Sequence, residues 1–298
     1  MIKNRIGFKI ALIINCALFI ILMAGALFIY KQETAVIKRS LQDKGRLASI
    51  IGAKGVSRII EEAVDNGVLS LADVLDTEYI EIQGFDPPKY HTKYDWYLDK
   101  AILSFEDDFL KESDILYAVA MDINGYVPTH NTRYNKPPTG DREKDLTGNR
   151  SKRIYKDPIA KNAGANEQAV GLMQVYSRDT GEMVWDISTP VFVKGKHWGC
   201  FRIGFDLETV NKLEKNLMLY LGSIMLITIL FIMIITFALI NKALAPLVEF
   251  TKIASELADG NVDTKIESKT QDEIGRLADV LERLRISLKA AMERLSRR

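Results

Sequence analysis

The chain has 298 residues, with 40 lysines and arginines against 39 aspartates and glutamates, for a formal net charge of +1. That balance excludes a protein whose main business is gripping nucleic-acid phosphates, because counterion release needs a basic surplus. A hydrophobic share of 47% excludes a disordered chain, and two cysteines, Cys16 and Cys200, are too few for a disulfide framework or a zinc cluster.

The apolar residues are segregated. Ile10 to Tyr30 runs without a charge, with Asn15 as its main polar interruption, and Leu217 to Ile240 does the same. At about 1.5 Å per residue, each stretch spans the roughly 30 Å hydrocarbon core of a bilayer. Transmembrane helices are therefore expected at 10–30 and 217–240. They leave a stub at 1–9, a loop at 31–216 large enough for its own core, and a tail at 241–298. Lys3, Arg5 and Lys9 imitate the basic start of a secretory signal. The apolar run that follows is longer than a signal's usual core of about 7–15 residues, so an uncleaved anchor is expected. The basic stub favours a cytoplasmic N-terminus, which puts the loop outside and the tail inside.

The loop opens helically. From Gln32 to about Ala72 no proline intervenes, and Leu47, Ile50, Ile51, Ile59, Ile60, Ala63 and Val64 recur at helical spacing. Gly52, Gly55 and Gly67 weaken the pattern and leave room for breaks. Asp114–Asp122 reads as a strand, with Asn124-Gly125 as a hairpin turn before Tyr126-Val127. Residues 135–148 are rich in proline and glycine and read as a loop. Ala169–Tyr176, Met183–Val193 and His197–Phe205 read as further strands, separated by turn chemistry at Asp179-Thr180-Gly181 and Lys194-Gly195-Lys196. A long helix followed by an antiparallel sheet is an α+β pattern and fits a PAS-like ligand-binding sheet. Asp206–Leu217 then reads as a helix feeding into the second span.

In the tail, Ile274, Leu277, Leu281, Leu284, Leu288, Ala291 and Leu295 step by threes and fours. Ala243, Leu247, Phe250, Ala254 and Leu257 do the same, and Asp259-Gly260-Asn261-Val262-Asp263 breaks the helix between the two runs. Two short amphipathic helices cannot bury such stripes alone, so a parallel four-helix bundle in a homodimer is expected.

Pro246, a glycine-containing connector, and Asp272-Glu273-Ile274-Gly275-Arg276-Leu277 after a membrane span resemble the HAMP linker of bacterial transmembrane receptors, over residues 241–293. The resemblance implies a cytoplasmic, dimeric relay, with Pro246, Gly260, Glu273, Ile274 and Leu277 as relay positions. The loop resembles the extracytoplasmic Cache domains of chemoreceptors in four stretches: Asn124–Asn131, Asn149–Arg153, Arg178–Glu182 and Gly195–Gly199. That resemblance implies a periplasmic small-molecule sensor in the bacterial inner membrane. Residues 294–298 close the chain, and no signalling coiled coil or catalytic module follows. The expected output is therefore a separate or missing protein, with the cytoplasmic partner unidentified.

Arg150, Lys152, Arg153 and Lys156 form a cationic run without an acid between them. Arginine forks suit carboxylate or phosphate, so one reading is a small-anion site; the other is a solvated surface turn. His130 and His197 are candidates to read a polar ligand group, against the alternative of histidines satisfied by backbone. As a pair they could also be axial ligands of haem, with no Cys-x-x-Cys-His motif for covalent attachment. A zinc site lacks a third ligand at useful spacing. Tyr117, Tyr126, Tyr176, Trp185 and Trp198 fall on or beside predicted strands and either line a pocket or pack the core. Asp186 and Asp179 are candidates for an amine, against ordinary solvation. Cys200 reads as a packed thiol. No nucleophile elbow, P-loop or His-Glu-x-x-His is present, so the expectation is a non-enzyme.

The expectation is thus a two-pass membrane protein. An α+β periplasmic Cache-like domain takes a small molecule and relays through a HAMP bundle in a homodimer, with membrane lipid around the spans and no nucleic-acid partner. Two alternatives stay open: a membrane-anchored adaptor that holds a partner through its coiled coil, and a haem-binding redox or gas sensor.

Overall fold

The computed structural model describes residues 6–178, 180–267 and 271–296. Lys3, Arg5, Asp179 and Arg298 lie outside those residues. The chain divides into two compact units, Lys31–Met218 and Met1–Tyr30 with Leu219–Arg298. In chain order the elements are α1 (Ile6–Asp65), α2 (Leu71–Val74), β1 (Ile80–Ile82), β2 (Lys89–His91), α3 (Asp95–Ala101), α4 (Leu103–Phe109), β3 (Ile115–Asp122) and β4 (Tyr126–Val127). A 3-10 turn at Thr132–Tyr134 follows, then α5 (Arg142–Gly148), β5 (Arg153–Ile154), α6 (Pro158–Ala165), β6 (Leu172–Ser177), β7 (Met183–Val193), β8 (Lys196–Asp206), α7 (Leu207–Ala258) and α8 (Glu273–Ser296). Both α1 and α7 contain a stretch long and apolar enough to cross a membrane.

In the unit Lys31–Met218, β3, β8, β7 and β6 form one antiparallel sheet in that order. Alternation sorts the side chains between its faces. Trp185 and Ile187 of β7, and Phe201, Ile203 and Phe205 of β8, join the main core with Val56 and Ile60 of α1, Leu98 of α3 and Ile102. Tyr117, Val119 and Met121 of β3, with Val184 and Cys200, form a second cluster with Val127, Ala160 and Ala163.

α1 runs unbroken through Gly52 and Gly55, because these glycines are notches rather than hinges. A Cβ at Gly52 would be driven into the Phe201 ring, and one at Gly55 into Phe105. The helix tolerates them in exchange for close approach to the sheet at Gly52 and to α4 at Gly55. It ends where Gly67 adopts φ +67°. There the Gly67 N–H meets the Val64 carbonyl at 3.1 Å, and the Val68 N–H meets that of Ala63 at 2.9 Å.

The expected Asn124-Gly125 hairpin is corrected too. The turn forms, but β4 pairs with β5, while β3 pairs with β8. Asp122 diverts the chain: its carboxylate accepts from the Asn124 N–H at 2.9 Å and the Tyr126 N–H at 2.8 Å, so β4 leaves the sheet. The expected loop at 135–148 contains α5, whose N-cap Asp141 accepts from the N–H groups of Glu143 and Lys144.

In the other unit, α7 continues through Pro246. Phe250, Ile253 and Leu257 close on Ile266 and Ala278. Gly260, at φ +89°, turns the chain into the connector. Arg285 Nη1 donates to the Val262 carbonyl at 2.7 Å, and Lys289 pairs with Asp263 at 2.9 Å, which pins that connector to α8. Glu273 and Ile274 open α8. Leu277, Leu284 and Leu288 stay exposed in the single chain.

Candidate anion-binding site

The second face of the sheet floors a cavity of about 400 Å³. Tyr117 and Val119 of β3, Tyr176 of β6 and Arg202 of β8 supply the floor. The walls come from Val127, His130, Arg150, Tyr155, the start of α6 at Asp157, and Arg178 in the β6–β7 turn. Most of the lining is apolar or aromatic, with three guanidinium groups converging on it, as in pockets where a few polar anchors fix a small ligand.

Tyr117 reaches across β8 because its partner in register is Gly204. Any Cβ there would collide with the tyrosine ring. The Tyr117 hydroxyl thereby donates to Asp186 Oδ1 at 2.6 Å, the atom that also accepts from Arg202 Nε at 2.9 Å. Burial works against charge on Arg202, and Asp186 beside it restores that charge, raising the guanidinium above its usual value. Arg178 Nη1 donates to Glu182 at 2.8 Å and to the Tyr134 hydroxyl at 3.2 Å. The Arg150 N–H donates to the Tyr134 carbonyl at 2.7 Å. Lys89 fixes the neighbouring chain by donating to Asn149 Oδ1 and, at 2.7 Å, to the Ser151 carbonyl.

His130 is 4% exposed, and its Nδ1 has no hydrogen-bond partner among the described residues. Burial first, then Arg150, Arg178 and Arg202, hold the imidazole well below its usual range. The ring is therefore neutral at pH 7 and offers one donor and one acceptor nitrogen. The site combines positive charge, an uncommitted imidazole nitrogen and aromatic walls, a chemistry suited to a small oxyanion with an apolar body.

Tyr117, His130, Arg150 and Tyr176 thus meet at one cavity, with Asp186 behind Arg202. The cationic run divides. Lys152 pairs with Asp95 at 3.0 Å and Asp99 at 2.7 Å. Arg153 donates to the Leu146 carbonyl at 3.0 Å and lies over Tyr155, and Lys156 is exposed. Tyr126 donates to the Tyr90 carbonyl at 2.9 Å and to Asp95 at 3.0 Å, and Trp185 belongs to the main core. His197 bonds the Gly199 carbonyl at 2.9 Å in a separate small pocket beside Tyr94, Asp122 and Trp198. The two histidines therefore do not converge on one group, which removes the geometry of an axial haem pair. Cys200 is buried, and burial pushes its thiol up, so it is no nucleophile.

Sequence reasoning missed Arg178, Arg202 and Tyr134. Arg202 carried a signal: on β8 it has the opposite parity to Phe201 and Ile203, which placed a cation on the face turned away from the main core.

Residues 238–290 match the HAMP domain family. No curated protein matches the chain. The solved structures similar to it include two sensor domains. The sensor domain of Escherichia coli DcuS is 21% identical, covering 39% of this chain and 72% of that one, with a TM-score of 0.26. The sensory domain of the Campylobacter jejuni chemoreceptor Tlp3 (CcmL) is 13% identical, covering 60% of this chain and 66% of that one, with a TM-score of 0.31.

Proposed function

We propose that the chain is a two-pass sensory receptor. Its unit Lys31–Met218 stands outside the cytoplasmic membrane and takes a small anion into the arginine–tyrosine cavity. A homodimeric HAMP bundle inside carries the response to a separate output protein. The observation that carries this reading is the convergence of Arg150, Arg178 and Arg202 on a cavity that is also lined by the neutral imidazole of His130. An adaptor has no use for three guanidiniums and a neutral imidazole around an internal space. The HAMP match after the second apolar helix supports the relay, and the exposed Leu277, Leu284 and Leu288 supply a stripe for a second copy to cover.

A ligand moves such a receptor only by its difference in affinity for two packings. The relevant link here is short: Arg202 sits in β8, and α7 starts at the residue after that strand ends.

The test is thermal unfolding of the full chain in detergent against carboxylates, inorganic phosphate and simple amines. An anion at a hundredfold excess over its dissociation constant should stabilise the protein by about 2.7 kcal/mol. Arg150→Gln should weaken that anion about tenfold or more, the usual cost of losing a charged hydrogen bond. Stabilisation by amines with none from any anion would contradict the reading.

A further inference from the structure

The three guanidiniums of the cavity do not face one another bare. Arg178 Cζ lies 4.9 Å from the Tyr134 ring centroid and 5.6 Å from that of Tyr117. Arg150 Cζ lies 5.8 Å from the Tyr134 ring, and Arg202 Cζ lies 6.0 Å from the Tyr117 ring. Tyr134 thus has the cations of Arg150 and Arg178 near its ring, and Tyr117 those of Arg178 and Arg202. The face of a phenol ring is electron-rich, so each ring attracts the cations packed near it and offsets their mutual repulsion.

Two rings make these contacts, and they differ. Tyr117 lines the cavity and would touch a ligand; Tyr134 is outside the lining. Tyr134 nonetheless holds two of the three arginines, Arg150 by its carbonyl and ring and Arg178 by its ring and hydroxyl. It is itself fixed. Its N–H donates to the Asn131 carbonyl at 2.8 Å, and the turn that carries it is anchored where the Thr132 N–H donates to Asp107 at 2.8 Å. The His130 ring packs against it edge-on, with centroids 5.0 Å apart.

We infer that Tyr134 is a positioning residue of the anion site: its ring, packed against Arg150 and Arg178, sets both guanidiniums toward the cavity without touching the ligand. The inference rests on the anion reading proposed above. It separates the cost of arranging the cations, met within the folded protein, from the contacts the anion makes.

The experiment is a double-mutant cycle on the full chain in detergent, read by isothermal titration. Acetate, malonate and inorganic phosphate serve as probes, and the cycle uses whichever of them binds the native chain most tightly. Tyr134→Leu should weaken that probe at least tenfold. Tyr134→Phe, which keeps the ring and loses the hydroxyl, should stay within threefold of native. In an Arg178→Gln background, Tyr134→Leu should cost clearly less than in the native background, because one of the two groups it positions is gone. Equal losses from Tyr134→Leu in both backgrounds, or a Tyr134→Leu chain that binds like native, would overturn the inference while leaving the anion site standing. Flat titrations of the native chain with all three probes would instead overturn the anion reading, and this inference with it. Misfolding of Tyr134→Leu does not blunt the test, since Tyr134→Trp offers a second stacking ring and must then bind within threefold of native; a tenfold loss there overturns the positioning role.

Discussion

His130 shows how one residue couples the site to stability. In the unfolded chain its imidazole takes a proton below its ordinary pKa of 6.5, whereas in the fold its pKa is depressed by burial and by the neighbouring arginines. Its contribution is therefore fully present above 6.5 and is lost as pH falls below that value, at up to about 1.4 kcal/mol per pH unit. Thermal unfolding between pH 7 and pH 5 should fall more steeply for the native protein than for His130→Asn, and parallel curves would contradict a neutral buried ring. At this scale the sequence was informative where residue type and strand parity agreed. Tyr117 and Tyr176 lay on predicted strands, and His130 and Arg150 lay in polar motifs, and all four meet at the cavity. Lys152 and Arg153 belong to the same cationic run as Arg150, but local composition does not reveal that Asp95, Asp99 and the Leu146 carbonyl wait for them.

Among the elements, α1 depends on missing side chains. Gly52 lies where the Phe201 ring fills the space a Cβ would need. Gly52→Ala should therefore cost about 1–3 kcal/mol by overpacking, against the usual gain for alanine in a helix. Gly222 in α7 meets nothing within 4 Å, so Gly222→Ala should leave unfolding unchanged or raise it slightly. Equal melting shifts for the two substitutions would refute the notch. Long elements were legible because their period persists: β7 runs Met183–Val193 as its alternation suggests, and the apolar runs inside α1 and α7 are unmistakable. The sequence pattern gave no element between 73 and 113, where β1, β2, α3 and α4 are found. Helices as short as α3 at Asp95–Ala101 offer too few turns for a 3.6-residue period to register. The Asn124-Gly125 hairpin failed for a different reason: a turn motif specifies the bend, and the side chain of Asp122 decided where the chain went next.

For the whole molecule, α7 begins directly after β8, the strand of Arg202, and ends at Ala258, beyond Pro246 and within the HAMP match. The α+β arrangement, the two apolar helices and the HAMP tail were all legible in the sequence, because each has a long-range pattern. The cavity was not, because it is assembled from β3, β4, β6, β8, the start of α6 and loops that are far apart in the chain. A reporter enzyme inserted at the Gly181 turn should be active outside the membrane, and the same reporter after Ser296 should be active inside; activity of both on one side would contradict the two-pass arrangement. In the proposed receptor, an anion held by the cavity arginines shifts the packing of the paired HAMP helices. The most direct test is the rate of disulfide formation between two copies carrying Leu284→Cys, in a Cys16→Ser background, in vesicles with the Lys31–Met218 unit facing the bath. Adding the anion that binds the native chain should change that rate, and Arg202→Gln should abolish the change. An unchanged rate in vesicles shown to bind the anion would contradict the account.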